Sequence, residues 1–436
     1  MAAAAAALTR LATGLVSLRA RGWHPSSTVL LRFRCTSAAA ESVAAAAATP
    51  PGADADDRTI HHLARSILAG DRMSLARAIT LCESSRPEHS RQAGALLRTL
   101  IAARSGGGGQ GHDASSSADA PTAPTTPTPT TPLPLRIAFS GPPGAGKSTL
   151  IEALGCALAD AADAGARVAV LAVDPTSPVS GGAVLGDRTR MPRLSAHPNA
   201  FVRASPARGA LGGVARATAD ACTLCEAAGY GTVLLETVGV GQSEVDAADV
   251  ADAVVLVLPP GGAGDELQAM KRGLMEVVDV VAVNKADGDG EALARRTAAE
   301  LRASLAAAPP GAWGLARWQG WRPRVLTVSA RTGKGVGELV EVLREFAGAV
   351  GGGGTGAAAE SSELAGRRAR GRERLAWSAL EEACLDALRS DQGVAMAMRA
   401  RLRDVRSGML PARAAADEVV AQWLRRSGGG EGGGGA

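Results

Sequence analysis

Residues 135–150 read LRIAFSGPPGAGKSTL, and no other stretch constrains the chain as tightly. A short apolar run is followed by a glycine-rich turn and then by a helix-forming segment. Gly141, Gly146, Lys147 and Ser148 fall at the spacing G-x-x-x-x-G-K-[ST], which is that of a phosphate-binding loop. The residue types follow from the chemistry. Glycines let successive backbone N–H groups turn inward toward one anion, and the helix that follows adds its positive end. The loop as a whole, Gly141, Pro142, Pro143, Gly144, Ala145, Gly146, Lys147, Ser148 and Thr149, is therefore the expected phosphate cradle. Lys147 is expected to reach the β- and γ-phosphate oxygens, and the Ser148 hydroxyl to ligate Mg²⁺.

A strand that opens such a loop needs a sheet around it. Short apolar runs at 135–140, 167–173, 201–205, 232–236, 253–258, 280–284 and 324–328 alternate with helical stretches. That alternation predicts an α/β fold, a mostly parallel sheet with helices on both faces. Ligands on such sheets bind at the carboxyl ends of the strands, and the remaining motifs all lie there. Asn284-Lys285-Ala286-Asp287 follows DVVAV as N-K-x-D, with Ser329-Ala330 at the end of VLTVSA. The Asp287 carboxylate can accept both the ring N1–H and the exocyclic amine of guanine, a donor pair that adenine lacks. The stem of Lys285 can lie along the base.

Glu236-Thr237-Val238-Gly239 ends the strand TVLLE, in the place of a D-x-x-G element. Glu236 is expected to hold Mg²⁺ and the Gly239 amide to meet the γ-phosphate. Gln242 either orients the attacking water or is a surface glutamine of a switch loop. Asp174 ends RVAVLAVD and Asp187 lies in LGDRTRM. One of the two would hold the ion and the other position water, although Asp174 also fits a helix cap.

The flanking sequence sets the organisation. Residues 1–40 hold five arginines and no acid, the pattern of an organelle transit peptide, and the first carboxylate is Glu41. The expected compartment is the mitochondrial matrix, with a plastid, or the cytoplasm if the leader does not target, as alternatives. Residues 41–104 form an N-terminal helical extension, with Ile60, Leu63, Ala64, Ile67 and Leu68 on one helical face. Residues 105–134 are a Gly/Ser then Pro/Thr linker, 135–350 the nucleotide domain, and 351–371 a Gly/Ala-rich linker. Residues 372–426 carry three helical stripes, and 427–436 are a glycine-rich tail. A net charge of +4 over 436 residues does not argue for nucleic acid or a membrane surface. No run of about 18 strongly apolar residues reads as a membrane span. Six scattered cysteines do not form a secreted disulfide pattern. Cys222-x-x-Cys225 falls in a helical stretch with no second Cys/His pair nearby and reads as two small core residues.

Taken together, AVDPTSPVSGGAVLGDRTRM at 172–191 and LLETVGVGQSEVDAADVADAVVLVLPPGGAGDELQAMKRG at 234–273 resemble the family of the mitochondrial methylmalonic aciduria type A protein and its bacterial MeaB/ArgK counterparts. The resemblance runs from about residue 57 to 426, interrupted by both linkers. It implies a GTPase chaperone of adenosylcobalamin-dependent methylmalonyl-CoA mutase that gates cofactor loading and protects the mutase. It implies that Gly141–Ser148 bind phosphate, that Asp174, Asp187 and Glu236 serve Mg²⁺ and the switches, and that Asn284, Lys285, Asp287, Ser329 and Ala330 read the base. It further implies a third switch at 265–273, in which Lys271 and Arg272 complete the site when the mutase docks, or else lie on a solvated helix face. The C-terminal helices would form a homodimer. The chain lacks the D-x-H-x-x-G pattern that ligates cobalt, so GTP/GDP with Mg²⁺, not cobalamin, is the expected ligand set. A nucleotide-gated binding module, a P-loop kinase and a nickel-insertion GTPase remain alternatives. The Trp-rich stretch 308–323 has no assigned role.

Overall fold

The computed structural model describes residues 53–84, 86–105, 134–161, 167–174, 191–206, 213–237, 249–261, 276–309, 318, 321–351 and 362–428. Seven strands form one sheet: β1 Leu135–Ser140, β2 Val168–Asp174, β3 Ala200–Pro206, β4 Thr232–Glu236, β5 Ala253–Leu258, β6 Val280–Val283 and β7 Arg324–Thr327. Their order is β3-β2-β4-β1-β5-β6-β7, and every pairing is parallel. Each strand lies within a residue or two of its predicted bounds. The reason is compositional. AVVLVL and VVAV are buried at every position, because a parallel sheet is covered on both faces and leaves no side for polar residues.

Alternate residues of β1 feed two cores. Ala138 belongs to the layer under the N-terminal helices, and Ile137 and Phe139 to the opposite one. The first layer contains α1 Ala53–Leu68, α2 Arg72–Cys82, α3 Pro87–Ser105, α6 Gly213–Ala227 and α7 Gly290–Ala307. The second contains α4 Lys147–Asp160, α5 Pro192–Ala196 and α8 Val336–Gly351. Gly70, at φ +81°, ends α1, and Asp71 caps α2 by accepting from Ser74 N at 2.8 Å. Three arginines secure the N-terminal helices to the sheet edge. Arg72 donates to Ala200 O. Arg167 donates to Gly70 O at 3.3 Å and lies 4.5 Å from the Tyr230 ring centre. Arg203 pairs with Glu83 at 2.5 Å.

Two compact units account for the chain, one spanning Ala55–Ala376 and the other including the C-terminal stretch from Trp377. In the first, Arg368 from the start of α9 (Glu363–Ser390) pairs with Asp252 and lies 3.4 Å from Glu226, which Arg136 also meets at 2.7 Å. The helix begins at Glu363, inside the stretch read as the second linker. Its ELAGRRARGRERL sequence carries alanine, arginine and glutamate, which favour a helix more than the two glycines oppose it. In the second unit, α10 (Gln392–Arg406) packs on α11 (Ala412–Gly428). Asp391 caps α10 at Val394 N, 3.0 Å, and accepts from Trp423 Nε1 at 3.1 Å. Among the described residues no helix is long and apolar enough to cross a membrane.

Candidate active site

The loop between β1 and α4 is shaped by close backbone approach. Gly141 has φ +142°, and a Cβ there would lie 2.1 Å from Val257 O. Gly146 has φ +90°, and its Cβ would lie 2.5 Å from Asn284 Nδ2. Side chains are therefore excluded twice, by conformation and by space. Ala145 is buried, while Pro143 and Gly144 are exposed at the loop tip, Pro142 is half-buried, and Thr149 faces solvent in the first turn of α4. The Lys147 Nζ donates to Gly141 O at 2.7 Å and Pro142 O at 3.2 Å. The ammonium thus lies against the loop it serves, at the N-terminal end of α4, where helix dipole and unpaired N–H groups favour an anion.

A second element joins the loop to the next strand. Ser148 Oγ donates to Glu236 Oε1 at 2.5 Å. Register explains why: Phe139 of β1 lies opposite Glu236 of β4, so the carboxylate stands one strand away from the loop. Thr237 fixes the chain just beyond, its hydroxyl donating to Phe139 O at 3.0 Å. Asp174 ends β2, two residues past Ala172, which is itself paired with Glu236. A hydroxyl and a carboxylate in contact are hard oxygen donors, the set that suits Mg²⁺. Among the described residues no group of three His, Cys, Asp or Glu side chains converges on one point.

The base end is built on a buried asparagine. Asn284 Nδ2 donates to Ala145 O at 2.9 Å and Gly146 O at 3.3 Å, and its Oδ1 accepts from Ala330 N at 3.1 Å. One side chain thus ties the phosphate loop to the Ser329-Ala330 turn. Lys285 has φ +60°, alone among the described non-glycine residues in the left-handed region, a conformation held where surrounding structure over-determines it. The Asp287 carboxylate accepts from Ser329 Oγ at 2.9 Å and from Arg331. The Ser329 hydroxyl bond, more than burial opposes it, holds this carboxyl below its ordinary pKa, and Arg331 adds to the effect.

A family model described as methylmalonyl Co-A mutase-associated GTPase MeaB matches residues 125–391. The chain belongs to the MeaB family. A probable GTPase of Mycobacterium bovis is 41% identical over 365 residues, 84% of this chain and 95% of the relative. A mouse protein named methylmalonic aciduria type A homolog, mitochondrial, is 39% identical over 373 residues, 86% of this chain and 81% of the relative. The crystal structure of a protein named LAO/AO transport system kinase superposes with a TM-score of 0.57 at 27% identity, covering 84% of this chain and 97% of that one.

For a MeaB-family GTPase, then, the geometry brings together the phosphate loop, Ser148, Glu236, Asn284, Lys285, Asp287, Ser329 and Ala330. Asp174 is placed by its backbone at the same strand-end edge. Asp187, Gly239, Gln242, Lys271 and Arg272 lie outside the described residues. Cys222 and Cys225 are both fully buried in α6, where burial pushes the Cys222 thiol up to about 12 and the Cys225 thiol well above its usual value. Trp318 and Trp321 pack edge-on against Phe346, at 5.6 and 5.2 Å between ring centres. Their indoles donate to Asp279 Oδ1 and Asp279 O. These two tryptophans of the Trp-rich stretch cover the start of β6. Arg331, which meets Asp287, carries no signal in the sequence beyond its position next in the Ser329-Ala330 turn.

Proposed function

We propose that this MeaB-family GTPase acts as a GTP-hydrolysing chaperone of methylmalonyl-CoA mutase, gating loading of the mutase's cofactor and protecting the loaded enzyme. One observation carries the chemistry. Asn284 bridges the carbonyls of Ala145 and Gly146 to the Ala330 amide, so base recognition and the phosphate loop form one rigid piece. Asp287 then discriminates guanine through its donor pair, and Lys285 and the Ser329-Ala330 turn complete the base pocket. Lys147 moves from the loop carbonyls to the phosphates and offsets their charge. The loop amides hold the β-phosphate at the head of α4, which positions the γ-phosphoryl group for attack by water. Ser148, Glu236 and Asp174, with Asp187, would hold Mg²⁺. The cation would supply charge neutralisation to the phosphates. Gln242 is the proposed water-orienting group, and Lys271 and Arg272 are the residues of this chain proposed to complete the site when the mutase docks.

The partner assignment is supported by the family description and by the relatives named for methylmalonic aciduria type A. The mouse relative's name also supports a mitochondrial location, in keeping with the acid-free, arginine-bearing first 40 residues. We propose that residues 372–426 form a homodimer contact, since Trp377, Leu385, Met396 and Met409 are exposed apolar side chains in that unit. We further propose domain limits at 1–40, 41–104, 105–134, 135–350, 351–371, 372–426 and 427–436, with the last part of 351–371 helical from Glu363.

The test is phosphate release from GTP by the purified chain, with and without the mutase, using ATP as nucleotide control and Lys147→Ala as protein control. GTP-specific turnover that the mutase raises and Lys147→Ala abolishes is the expected result. GTP-specific turnover that the mutase leaves unchanged would remove the partner assignment, and turnover of ATP at an equal rate would remove the guanine assignment.

A further inference from the structure

Both oxygens of Asp287 already have donors within this chain, and the two donors differ in kind. Ser329 is fully buried, and its hydroxyl, besides donating to Oδ1, accepts from Thr332 N at 3.2 Å, so it belongs to the frame of the turn. The Arg331 side chain is 78% exposed, and one guanidinium nitrogen donates to Oδ2. An ionised carboxylate has about four lone-pair sites, so Ser329 leaves room for further donors. A guanidinium presents neighbouring N–H groups in a plane, as the N1–H and exocyclic amine of guanine do. The arginine therefore offers Asp287 the same donor chemistry as the base.

We propose that Arg331, which donates to Asp287 Oδ2, is an internal stand-in for guanine that competes with the base for this carboxylate and is displaced when the base binds, so that it sets guanine-nucleotide affinity and release. This rests on the guanine reading above. The displacement is local: Ser329 keeps its place on Oδ1, and the long exposed arginine stem gives the guanidinium a path to solvent without backbone change. An exposed ion pair of this kind corresponds to about a two- to fivefold change in an equilibrium constant. Because it is exposed, the pair weakens with salt.

The test uses the full chain with Mg²⁺ and a fluorescent GDP analogue. Equilibrium binding and dissociation rates are measured for the wild type, Arg331→Ala and Arg331→Lys, with an ATP analogue alongside. Arg331→Ala is expected to bind GDP about two- to fivefold more tightly, with slower release and, without nucleotide, a melting temperature lowered by at most about 2–4 °C. Arg331→Lys keeps the charge and loses the planar donor set, so it is expected to fall between the two. The ratio of variant to wild type is expected to shrink toward one at about 0.5 M salt. Equal or weaker GDP binding by Arg331→Ala, with guanine still preferred over adenine, overturns the stand-in and leaves the guanine site standing. Equal binding of GDP and ATP analogues by all three chains overturns the guanine reading and the stand-in with it.

Discussion

Replacing Asn284 by Ala removes three hydrogen bonds from a side chain that is 2% exposed. At about 1 kcal/mol each, with the Ala330 N–H left without its acceptor, the loss of stability is about 3 kcal/mol. The same change bears on Gly146. Gly146→Ala forces a non-glycine residue to φ +90° and drives its Cβ to 2.5 Å from Asn284 Nδ2. The backbone strain alone costs about 1–3 kcal/mol, and the contact adds to it. In an Asn284→Ala background the opposing amide is gone, so only the strain remains. The two substitutions are therefore expected to be non-additive, with a coupling of about 1–2 kcal/mol. Urea unfolding, followed by tryptophan emission, to which the buried Trp318 and Trp321 beside β6 contribute, measures each variant. GDP affinity, measured in parallel, is expected to fall by one to two orders of magnitude in both single variants, as the loop loses its tie to the base turn. Additive stability losses, or an Asn284→Ala chain with wild-type GDP affinity, would refute the claim that this side chain joins the two halves of the site.

Three further outcomes are expected. Asp287→Asn presents an amide where guanine needs an acceptor, so GTP binding is lost by at least about 100-fold while xanthosine triphosphate, with a carbonyl in place of the amine, is gained; competition binding with the two nucleotides checks this. Arg368→Ala leaves Asp252 and Glu226 buried with less compensation and is expected to destabilise by about 3–5 kcal/mol in urea unfolding, with a smaller loss for Arg368→Met, which keeps the packing stem. Asp220 in α6 has its carboxyl pushed up to about 6 by burial, only partly offset by Arg216. The folded state therefore binds the proton more tightly than the unfolded one, and stability falls as pH rises from about 4 to 6. Asp220→Asn is expected to flatten that interval and to stabilise the chain by about 1–3 kcal/mol at pH 7, as read from denaturation midpoints across pH.

Much of this molecule was legible in the residues because its signals are local. GPPGAGKST prescribes its own conformation, since only glycine meets the φ values and the close approach to Val257 O. β5 and β6 could be placed because a doubly covered parallel strand is apolar at every position, and the other five strands each keep a short apolar run. The order of the strands, and hence which carboxylate meets which loop, is not written in any local pattern. Glu236 reaches Ser148 only because β4 is inserted beside β1 and its register sets Glu236 opposite Phe139. Trp318 and Trp321 had no assigned role until the fold brought the β6 start, through Asp279, and Phe346 of α8 to the same place. Arg331 likewise looks like any exposed arginine in a polar turn, and its contact with Asp287 spans 44 positions in the chain. The sequence by itself determined the elements and the chemical types, because these follow from backbone sterics and burial within a few residues. Only the tertiary structure decided the juxtapositions, because strand order and register are set by the packing of the whole core.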